Sequence, residues 1–385
     1  MSERTYDLAV VGAGILGAFH AYHALHRGLR VLLLEKDAAP AGATVRNFGQ
    51  VVPSGMKQGI WQQRGRESTA LYKELQTRFD LSVRHNGTVY LASDDDEARL
   101  IHELKARNDD AGYPCEILSA EECLARFSPL KPAYIKAGLF FPEEVTVESR
   151  VAISRLIAFM VEQMGLEFRP RTAVTELEVS DADVRLRAPD GSQFRAERVA
   201  VCNGREFRML FPDLFRESDL VTAKLHMMQT RPLPQVKLPG AVLTGTSIRR
   251  YESFQECPSY ASRNSEHLHP DIERWGIHIL FKQTPDGSII LGDSHEYTPA
   301  ADADDRDFDI DWAINERMIQ LASEILDLPD WTPALTWAGF YSQTGNGEPF
   351  ARVIDERVHV LTGLGGKGMT AGPTLARENV ERMFG

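Results

Sequence analysis

Two glycine-rich segments, one near each end of the chain, have spacings that suit a phosphorylated cofactor. In the first, Gly12 would permit a tight turn, Gly14 would let a pyrophosphate approach bare backbone, and Gly17 would let a helix pack closely on the strands. An acid, Glu35, follows eighteen residues after the third glycine, where it can accept from ribose hydroxyls. This combination predicts a dinucleotide-binding turn, with a packing turn in another α/β protein as the alternative.

The second segment, residues 363–368, also matches GxGxxG but cannot repeat the same task. Only 17 residues follow Gly368, too few for a helix, a further strand and its acid. It is not a P-loop either, because Lys367 precedes the last glycine. A glycine loop, a lysine and a helix N-terminus together stabilise negative charge, such as a reduced flavin develops at its N1 and C2=O end. A structural strand-to-helix turn is the alternative.

These two segments together indicate FAD as the dinucleotide. A reductase that passes electrons from NADPH to flavin usually needs a second nucleotide-binding fold, and the sequence carries one true fingerprint. We therefore expect electrons to come from the substrate and to leave either to molecular oxygen or to a carrier protein.

The apolar pattern around the motifs predicts the elements that position them. Residues 6–11 and 29–36 read as strands flanking a helix, and 198–204 read as a buried strand that fits beside this βαβ unit. Helical patterns cover 59–79, a segment beginning at 94–97, 147–165, 310–328 and 370 to the end; further strands are predicted at 138–142, 221–230, 276–292, 335–340 and 358–361.

Three dipeptides predict turns between strands: Asn86-Gly87, Asp190-Gly191 and Asp286-Gly287. The long strands suggest a second, antiparallel sheet, and the acidic residues 302–311 suggest a loop. We predict an α/β (α+β) architecture in which a Rossmann-like FAD-binding domain is interleaved with an antiparallel-sheet substrate domain. The FAD-binding domain would comprise residues 1–80, 145–215 and 335–385, and the substrate domain 81–144 and 216–334.

Composition limits the partners. The chain has 385 residues with 43 basic and 55 acidic side chains, a formal net charge of −12, which argues against nucleic acid or an anionic membrane. Its four cysteines form no CxxC pair, which argues against a metal site and suits a reducing cytoplasm. No apolar run reaches the roughly 18 residues of a membrane span. The first strand begins within six residues, which leaves no room for a signal peptide.

The loop after Glu35 is rich in small residues. It covers residues 37–50, and a long loop that follows a nucleotide fold usually carries ligand contacts. We expect this loop to touch the cofactor or the substrate, and a plain surface connection is the alternative.

With these residues in place, the chain resembles the D-amino-acid-oxidase-like flavoprotein superfamily, especially its glycine oxidase and sarcosine oxidase group. The resemblance spans almost the whole chain and is most specific at its two ends. Residues 42–50 and 365–370 resemble a bacterial subgroup linked to phosphonate catabolism. The activity of that subgroup is oxidation of 2-aminoethylphosphonate derivatives, notably the N-methyl form.

The resemblance implies how FAD is held. Monomeric sarcosine oxidases tether flavin through a C-terminal cysteine, whereas no cysteine follows Cys257 here, so the FAD should be non-covalent. The sheet built from residues 221–292 would form the roof of the substrate pocket. The implied cofactor residues are Gly12, Ala13, Gly14, Ile15, Leu16, Gly17, Glu35, Lys36, Ala43, Thr44, Arg46, Asn47, Phe48, Gly49, Val174, Cys202, Asn203, Gly204, Gly365, Gly366, Lys367, Gly368, Met369 and Thr370.

One departure from the family pattern concerns the substrate. Where glycine oxidases carry an arginine for the substrate carboxylate, this chain has Tyr341. A phosphonate carries up to two charges and three acceptor oxygens, so it favours several donors over one bidentate contact. We expect His226 to contact the amine, with a structural histidine as the alternative. The expected anion-binding residues are Arg46, Tyr341 and Lys367, with Lys224, His226 or Arg249 from the roof.

The implied reaction is amine oxidation. A neutral amine would pass a hydride from its α-carbon to the flavin, the imine would hydrolyse, and reoxidation by oxygen would yield hydrogen peroxide. From N-methyl-2-aminoethylphosphonate the products would be phosphonoacetaldehyde, methylamine and peroxide. The alternatives are a sarcosine- or glycine-type oxidase, a dehydrogenase that reduces a carrier, and a non-catalytic flavin scaffold. An FAD-binding RNA-modification protein is disfavoured by the acidic charge balance.

Overall fold

The computed structural model describes residues 5–266, 268–305 and 307–385. The strands are β1 (Thr5–Val11), β2 (Val31–Leu34), β3 (Gln50–Val51), β4 (Thr88–Ala92), β5 (Glu116–Ser119), β6 (Ala137–Phe141), β7 (Val145–Thr146), β8 (Glu167–Arg169), β9 (Glu176–Val179), β10 (Val184–Arg187), β11 (Gln193–Val201), β12 (Val221–Thr230), β13 (Ala241–Leu243), β14 (Leu280–Gln283), β15 (Ile289–Gly292), β16 (Glu296–Pro299), β17 (Pro333–Gln343), β18 (Phe350–Ile354) and β19 (Val358–Thr362). The helices are α1 (Ile15–His26), α2 (Ile60–Arg78), α3 (Asp95–Asp110), α4 (Ala120–Arg126), α5 (Ser149–Gln163), α6 (Pro212–Arg216), α7 (Gly245–Ile248), α8 (Glu252–Gln255), α9 (Pro270–Arg274), α10 (Trp312–Ile325) and α11 (Gly368–Phe384).

The first sheet joins the N-terminal βαβ unit to the C-terminal strands. β1 pairs in parallel with β2 and β11, and β11 pairs in parallel with β19, which gives the order β18-β19-β11-β1-β2-β8. The predicted placement of the strand near residues 198–204 beside the βαβ unit is confirmed. Helices α1, α2, α5 and α11 cover one face, and their apolar side chains share one core with β1 and β2.

The second sheet has the order β16-β12-β15-β14-β13-β4-β6-β5, with β17 paired to β12. The predicted antiparallel pairing is confirmed for β12, β14 and β15, but the sheet is mixed because β4 and β13 run parallel. Strand β17 belongs to this sheet, although the predicted boundary at 335 assigned most of it to the cofactor domain. The division of the chain into domains otherwise stays a prediction.

The three predicted turns have different outcomes. Asp190-Gly191 joins β10 to β11 and Asp286-Gly287 joins β14 to β15, so these two hairpins are confirmed. The hairpin at Asn86-Gly87 is wrong, because β4 begins at Thr88 and pairs with β6 and β13, while Arg84 before the dipeptide bridges to Thr146. Gly87 has φ +71°, and a Cβ there would lie 2.5 Å from Phe140. Gly87 therefore allows two segments of the chain to approach closely and does not mark a chain reversal.

The predicted helices correspond to α2, α3, α5, α10 and α11. The predicted loop at 302–311 is a short 3₁₀ helix at Ala300–Asp305 followed by irregular backbone, and residue 306 lies outside the described ranges. None of the described helices combines the length and apolar character needed to cross a membrane. Within the same ranges, no group of three or more His, Cys, Asp or Glu side chains could hold a metal ion.

Candidate active site

A cavity of about 470 Å³ lies at the carboxyl ends of the parallel strands of the first sheet. Gly12 and Gly14 follow β1, Glu35 follows β2, Cys202 follows β11 and Gly365 follows β19, and all five line this cavity. The carboxyl ends of parallel strands are where open α/β sheets bind ligands.

The glycines of the first turn are required by close packing. Gly12 has φ +96°, and a Cβ there would lie 2.4 Å from the carbonyl oxygen of Cys202. A Cβ at Gly17 would lie 1.8 Å from the carbonyl oxygen of Gly12, so the helix packs against the turn itself. The predicted roles of these two glycines in the turn and in packing are confirmed. Gly14 presents its backbone to the cavity.

Two side chains fix the start of α1. The Glu35 carboxylate accepts from the Ala13 N–H at 2.9 Å and from the Asp37 N–H at 3.0 Å. The Thr44 hydroxyl oxygen accepts from the Ile15 N–H at 2.9 Å, which joins the loop after β2 to the helix. Glu35 is buried at the cavity wall, where its carboxylate retains lone pairs for a ligand hydroxyl.

A second cavity of about 310 Å³ continues from the first. The two share lining residues, among them Ile15, Thr44, Arg46 and Gly368, so they form one connected space. Its walls are the loops at 43–50 and 365–370 on one side and the second sheet on the other. The volume suits a small ligand held against the end of a cofactor.

The roof of the second cavity is unusually polar for a buried surface. Arg250 and Tyr251 follow α7, His278 lies just before β14, and Asp293 and His295 follow β15. None of these five residues was predicted from the sequence. The available signal was polar residues at the ends of the predicted 276–292 hairpin, but which of them face a cavity depends on strand pairing.

Arg250 is the cation of this roof. Its guanidinium donates to the Tyr297 hydroxyl at 2.9 Å, and it forms no ion pair with a carboxylate of the described ranges. Burial alone would lower the pKa of Arg250, but Tyr297, Tyr341 and Asp293 outweigh it and raise that pKa above the usual value. The side chain therefore stays charged in the cavity wall.

Tyr341 lies on β17 opposite Ala223 of β12 and lines both cavities. Burial raises the pKa of its phenol, with further contributions from Tyr297 and Asp293. The phenol therefore stays protonated and can donate a hydrogen bond to an anion. The sequence prediction that Tyr341 reaches the substrate region agrees with this placement.

Similarity to known proteins agrees with this geometry. The family described as DAO, FAD dependent oxidoreductase, matches residues 7–382. The chain belongs to this family. The mixed α/β fold and the cofactor cavity at the strand ends are thus those of an FAD-dependent oxidoreductase.

Curated relatives match part of the chain. A glycine oxidase of Geobacillus kaustophilus is 24% identical over 208 residues, 52% of this chain and 54% of the relative. An N-methyl-L-tryptophan oxidase of Escherichia coli is 24% identical over 218 residues, 54% and 56% of the two chains. A tRNA 5-methylaminomethyl-2-thiouridine biosynthesis bifunctional protein of Marinobacter nauticus is 26% identical over 246 residues, 63% and 38%. These matches span at most about half the length of each relative.

Solved structures share the whole fold. The glycine oxidase from Geobacillus kaustophilus superposes with a TM-score of 0.78 at 18% identity, covering 98% of this chain and 95% of that chain. The L-α-glycerophosphate oxidase from Mycoplasma pneumoniae, a structure with FAD bound, gives 0.77 at 17% identity, covering 99% and 95%. At these identities the similarity concerns the fold.

The residues of the larger cavity fit FAD. A strip of backbone without side chains at the first turn, a buried acid beside it and the N-terminus of α11 at the far end match a ribose, a pyrophosphate and a flavin edge. A Cβ at Gly12 would meet the Cys202 carbonyl oxygen at 2.4 Å, so the bare backbone of this turn depends on glycine. The segment 203–210, of which the sequence predicted only the first two residues, also covers the cavity.

Most predicted cofactor residues line this space. In the larger cavity lie Gly12, Gly14, Ile15, Leu16, Glu35, Lys36, Ala43, Thr44, Arg46, Val174, Cys202, Asn203, Gly204, Gly365 and Gly368. In the smaller one lie Asn47, Phe48, Gly366, Lys367, Met369 and Thr370. Ala13, Gly17 and Gly49 line neither cavity, so direct contact by these three stays a prediction. Gly49 instead packs on Val147, whose carbonyl oxygen lies 2.1 Å from where a Cβ would stand.

Arg46 contacts backbone in addition to the cavities. Its Nε donates to the Ala41 carbonyl at 2.8 Å and one terminal nitrogen donates to the Ala338 carbonyl at 3.3 Å. The guanidinium therefore joins the loop after β2 to β17. Arg46 therefore binds backbone carbonyls, and anion binding by Arg46 would use the N–H groups that these contacts leave free.

Lys367 is already paired. Its ammonium lies 2.7 Å from the Glu252 carboxylate, donates to the Gly347 carbonyl at 3.0 Å and lies over the Trp61 ring at 4.2 Å. The predicted position of Lys367 near the flavin stays a prediction, and Glu252 balances its charge at the wall of the smaller cavity. What the loop offers to a cofactor is backbone and the N-terminus of α11.

The predicted roof residues point elsewhere. His226 is buried, its Nδ1 bonds to Ser294 at 2.9 Å, and its Nε2 accepts from the Asp311 N–H at 3.0 Å. It lines neither cavity and fixes the start of α10, so the predicted amine contact is wrong. Lys224 and Arg249 are likewise held by carboxylates outside the cavities. The sequence could not distinguish these from Arg250, because their partners come from distant segments, Asp307 for Lys224 and Asp94 with Glu97 for Arg249.

Proposed function

We propose that this protein is an FAD-dependent oxidase of a small amine that carries an anionic group. The observation that supports this most directly is Arg250, a half-buried guanidinium in the wall of the smaller cavity that forms no ion pair with a carboxylate of the described chain. Its remaining N–H donors can form charge-assisted hydrogen bonds with a ligand anion. Relatives named for oxidation of glycine and of N-methyl-L-tryptophan support an amine as the reacting group.

We further propose that the anion is a phosphonate. The substrate would be N-methyl-2-aminoethylphosphonate, with 2-aminoethylphosphonate as a second substrate, and the products phosphonoacetaldehyde, the amine and hydrogen peroxide. Support comes from Tyr341, which stands where the resemblance to glycine oxidases predicts an arginine. The cavity therefore offers one guanidinium from Arg250 and phenols, a dispersed set of donors that suits a tetrahedral anion with three oxygens.

The protein's own contribution is orientation and exclusion of water. The Thr370 hydroxyl oxygen accepts from the Val52 N–H at 3.1 Å, which fixes the loop at 365–370 against the loop at 43–50. Apolar side chains of Phe48 and Met227 complete the cavity wall and keep water from the reacting carbon. The chemistry that FAD supplies when bound is acceptance of a hydride from the carbon beside the amine, with oxygen as the final acceptor.

The cofactor would be bound without a covalent link. Cys202 lines the larger cavity, and burial raises the pKa of its thiol, which makes it a poor nucleophile. Cys115, Cys123 and Cys257 line neither cavity. All four cysteines fall within the described ranges and are unpaired thiols, which also supports the proposed cytoplasmic location.

Three alternatives remain distinguishable. A sarcosine- or glycine-type oxidase would place a carboxylate at Arg250. A dehydrogenase would reduce a carrier, and the fold does not separate the two, since an L-proline dehydrogenase from P. horikoshii superposes with a TM-score of 0.78 at 17% identity. The tRNA-biosynthesis relative raises an RNA substrate, against which the net charge of −12 argues.

One assay tests these proposals. The purified protein should be yellow, release FAD into acid, and form peroxide fastest with N-methyl-2-aminoethylphosphonate in a panel that includes 2-aminoethylphosphonate, sarcosine and glycine. A wide preference for sarcosine or glycine would rule out the phosphonate substrate. Anaerobic bleaching of the flavin without peroxide formation in air would rule out the oxidase and favour the dehydrogenase.

A further inference from the structure

Three polar side chains share one face of an extended hairpin in the roof of the smaller cavity. Beyond β14 and β15, the His278 N–H donates to the Asp293 carbonyl at 2.7 Å and the Asp293 N–H donates back, so these residues lie directly opposite each other. His295 is two residues after Asp293 and therefore projects from the same face. All three line the cavity.

Asp293 is a buried carboxylate with unused acceptor capacity. It is 7% exposed, and its Oδ1 has no hydrogen-bond partner in the described chain. Oδ1 lies 3.4 Å from Nδ1 of His278, a long and weak contact, and 3.8 Å from Nδ1 of His295. Burial opposes ionisation, but His295, His278 and Arg250 outweigh it and hold the pKa of Asp293 below its ordinary value. The group is therefore an anion with few donors around it.

His295 supplies a second acceptor beside it. Its Nδ1 bonds to the Gly276 carbonyl oxygen at 3.0 Å. A carbonyl only accepts, so Nδ1 carries the hydrogen and Nε2 of the neutral ring keeps its lone pair. Burial lowers the pKa of His295 to about 4, which keeps the ring neutral at neutral pH. In the described ranges Nε2 has no partner, and the side chain lines the cavity.

Resting on the proposed function, we propose that Asp293 and His295 form a subsite that receives the substrate amine as an ammonium, which must release one proton to water to become the neutral amine that is oxidised. The Asp293 carboxylate and the imidazole Nε2 each accept one N–H. A primary or secondary ammonium has at least two such hydrogens, whereas a quaternary ammonium has none. With Arg250 in the same cavity, the site selects a dipolar ligand, with an anion at one end and an N–H-bearing cation at the other.

The test uses three phosphonates that cannot be oxidised at the amine-bearing carbon. They are 2-amino-2-methylpropylphosphonate, whose ammonium donates hydrogen bonds, 2-(trimethylammonio)ethylphosphonate, whose cation cannot, and the uncharged-tail analogue 3,3-dimethylbutylphosphonate. Binding to the FAD-loaded protein is measured by calorimetry. We expect the first ligand to bind roughly 10- to 100-fold more tightly than the second, as hydrogen bonds to charged groups contribute about 1.5–3 kcal/mol. Equal affinity would overturn the proposal.

Variants locate the preference. Asp293→Asn should reduce the preference for the amino ligand to within about threefold, while 3,3-dimethylbutylphosphonate binds as it does to the wild type. Asp286→Asn is the matched control, because Asp286 lies at the far turn of the same hairpin and lines neither cavity. An Asp293→Asn protein that keeps the full preference would contradict the subsite. If that variant does not fold, His295→Leu must lose part of the preference or the proposal fails.

The same design separates this inference from the proposed function. The series is repeated with carboxylates: 2-aminoisobutyrate, glycine betaine and 3,3-dimethylbutyrate. Binding of the carboxylates alone would end the phosphonate proposal. The difference within whichever series binds still decides the amine subsite.

Discussion

The two connected cavities are built from different parts of the chain. The larger one is made of backbone, with glycines at the ends of parallel strands and Glu35 holding its own loop by hydrogen bonds to main-chain N–H groups. The smaller one is made of side chains, with Arg250, Asp293 and His295 brought together by antiparallel pairing in the second sheet. Backbone groups can bind a cofactor that many proteins share, whereas side chains determine which substrate one protein selects.

This difference predicts how each side responds to substitution. A glycine held by contact with other backbone has no alternative conformation to adopt, so a change there should strongly weaken cofactor binding. A cavity side chain can be replaced without moving the sheet, so a change there should alter ligand affinity and leave the cofactor in place. The following variants test this separation.

The largest effect is expected from Gly12→Ala. The new Cβ would lie 2.4 Å from the Cys202 carbonyl oxygen, and the turn would have to move. Such overpacking costs about 3 kcal/mol, so flavin binding should weaken roughly 100-fold, measured as the flavin-to-protein ratio after purification. Gly345→Ala is the control, since Gly345 lines neither cavity and a Cβ there would meet Asp219 at an ordinary contact distance of 3.5 Å. Normal flavin content in Gly12→Ala would refute a backbone-made site.

Arg250→Met should affect the other cavity alone. Loss of a charged hydrogen-bond donor to the substrate anion should raise KM about 10- to 100-fold with the flavin content unchanged. Arg46→Met is the comparison, because Arg46 bonds to the Ala41 and Ala338 carbonyls. We expect it to lower flavin content and thermal stability more than it raises KM. The opposite pattern, with the larger rise in KM in Arg46→Met, would assign anion binding to Arg46.

A third test concerns the support beneath the cofactor site. His20 is buried between α1 and α11, where Nδ1 donates to the Leu16 carbonyl and Nε2 accepts from Asn379. Burial lowers its pKa from 6.5 to about 4, so the folded protein holds it neutral while the unfolded chain protonates it. The stability that neutral His20 contributes is fully present above pH 6.5 and is lost as the pH falls toward 4. By pH 5 the loss amounts to about 2 kcal/mol of the free energy of unfolding.

His20→Gln should therefore reduce the loss of stability between pH 7.5 and pH 5, as measured by denaturant unfolding at each pH. The exposed His26, replaced by Asn, is the control and should unfold with the wild-type pH dependence. An unchanged slope in His20→Gln would show that this histidine does not carry the effect.

The smallest effect is expected at the border of the two cavities. Lys367 is paired with Glu252, so Lys367→Met and Glu252→Gln should each lower the melting temperature by only about 1–2 °C, as a partly exposed ion pair contributes up to about 1 kcal/mol. Flavin reduction rates should stay within about twofold in both. If Lys367→Met alone slows flavin reduction strongly, the lysine acts on the cofactor despite its partner.

Short sequence patterns correctly predicted the features that depend on local backbone conformation. The βαβ unit, the hairpins at Asp190-Gly191 and Asp286-Gly287, and the glycine roles at Gly12 and Gly17 follow from short segments whose conformation few alternatives can satisfy. The same local reading failed at Asn86-Gly87. There the glycine is required by close contact with Phe140, which lies 53 residues away in the chain.

By itself the sequence determined the cofactor, since a glycine turn, a helix and an acid at fixed spacing need only their own backbone geometry to bind a dinucleotide. Tertiary structure alone decided which charges face the substrate. Arg249 and Arg250 are neighbours in sequence, yet the first is held by Glu97 and Asp94 while the second lines the cavity. The physical reason is that burial and pairing depend on strand register and on partners from distant segments, which no local spacing encodes.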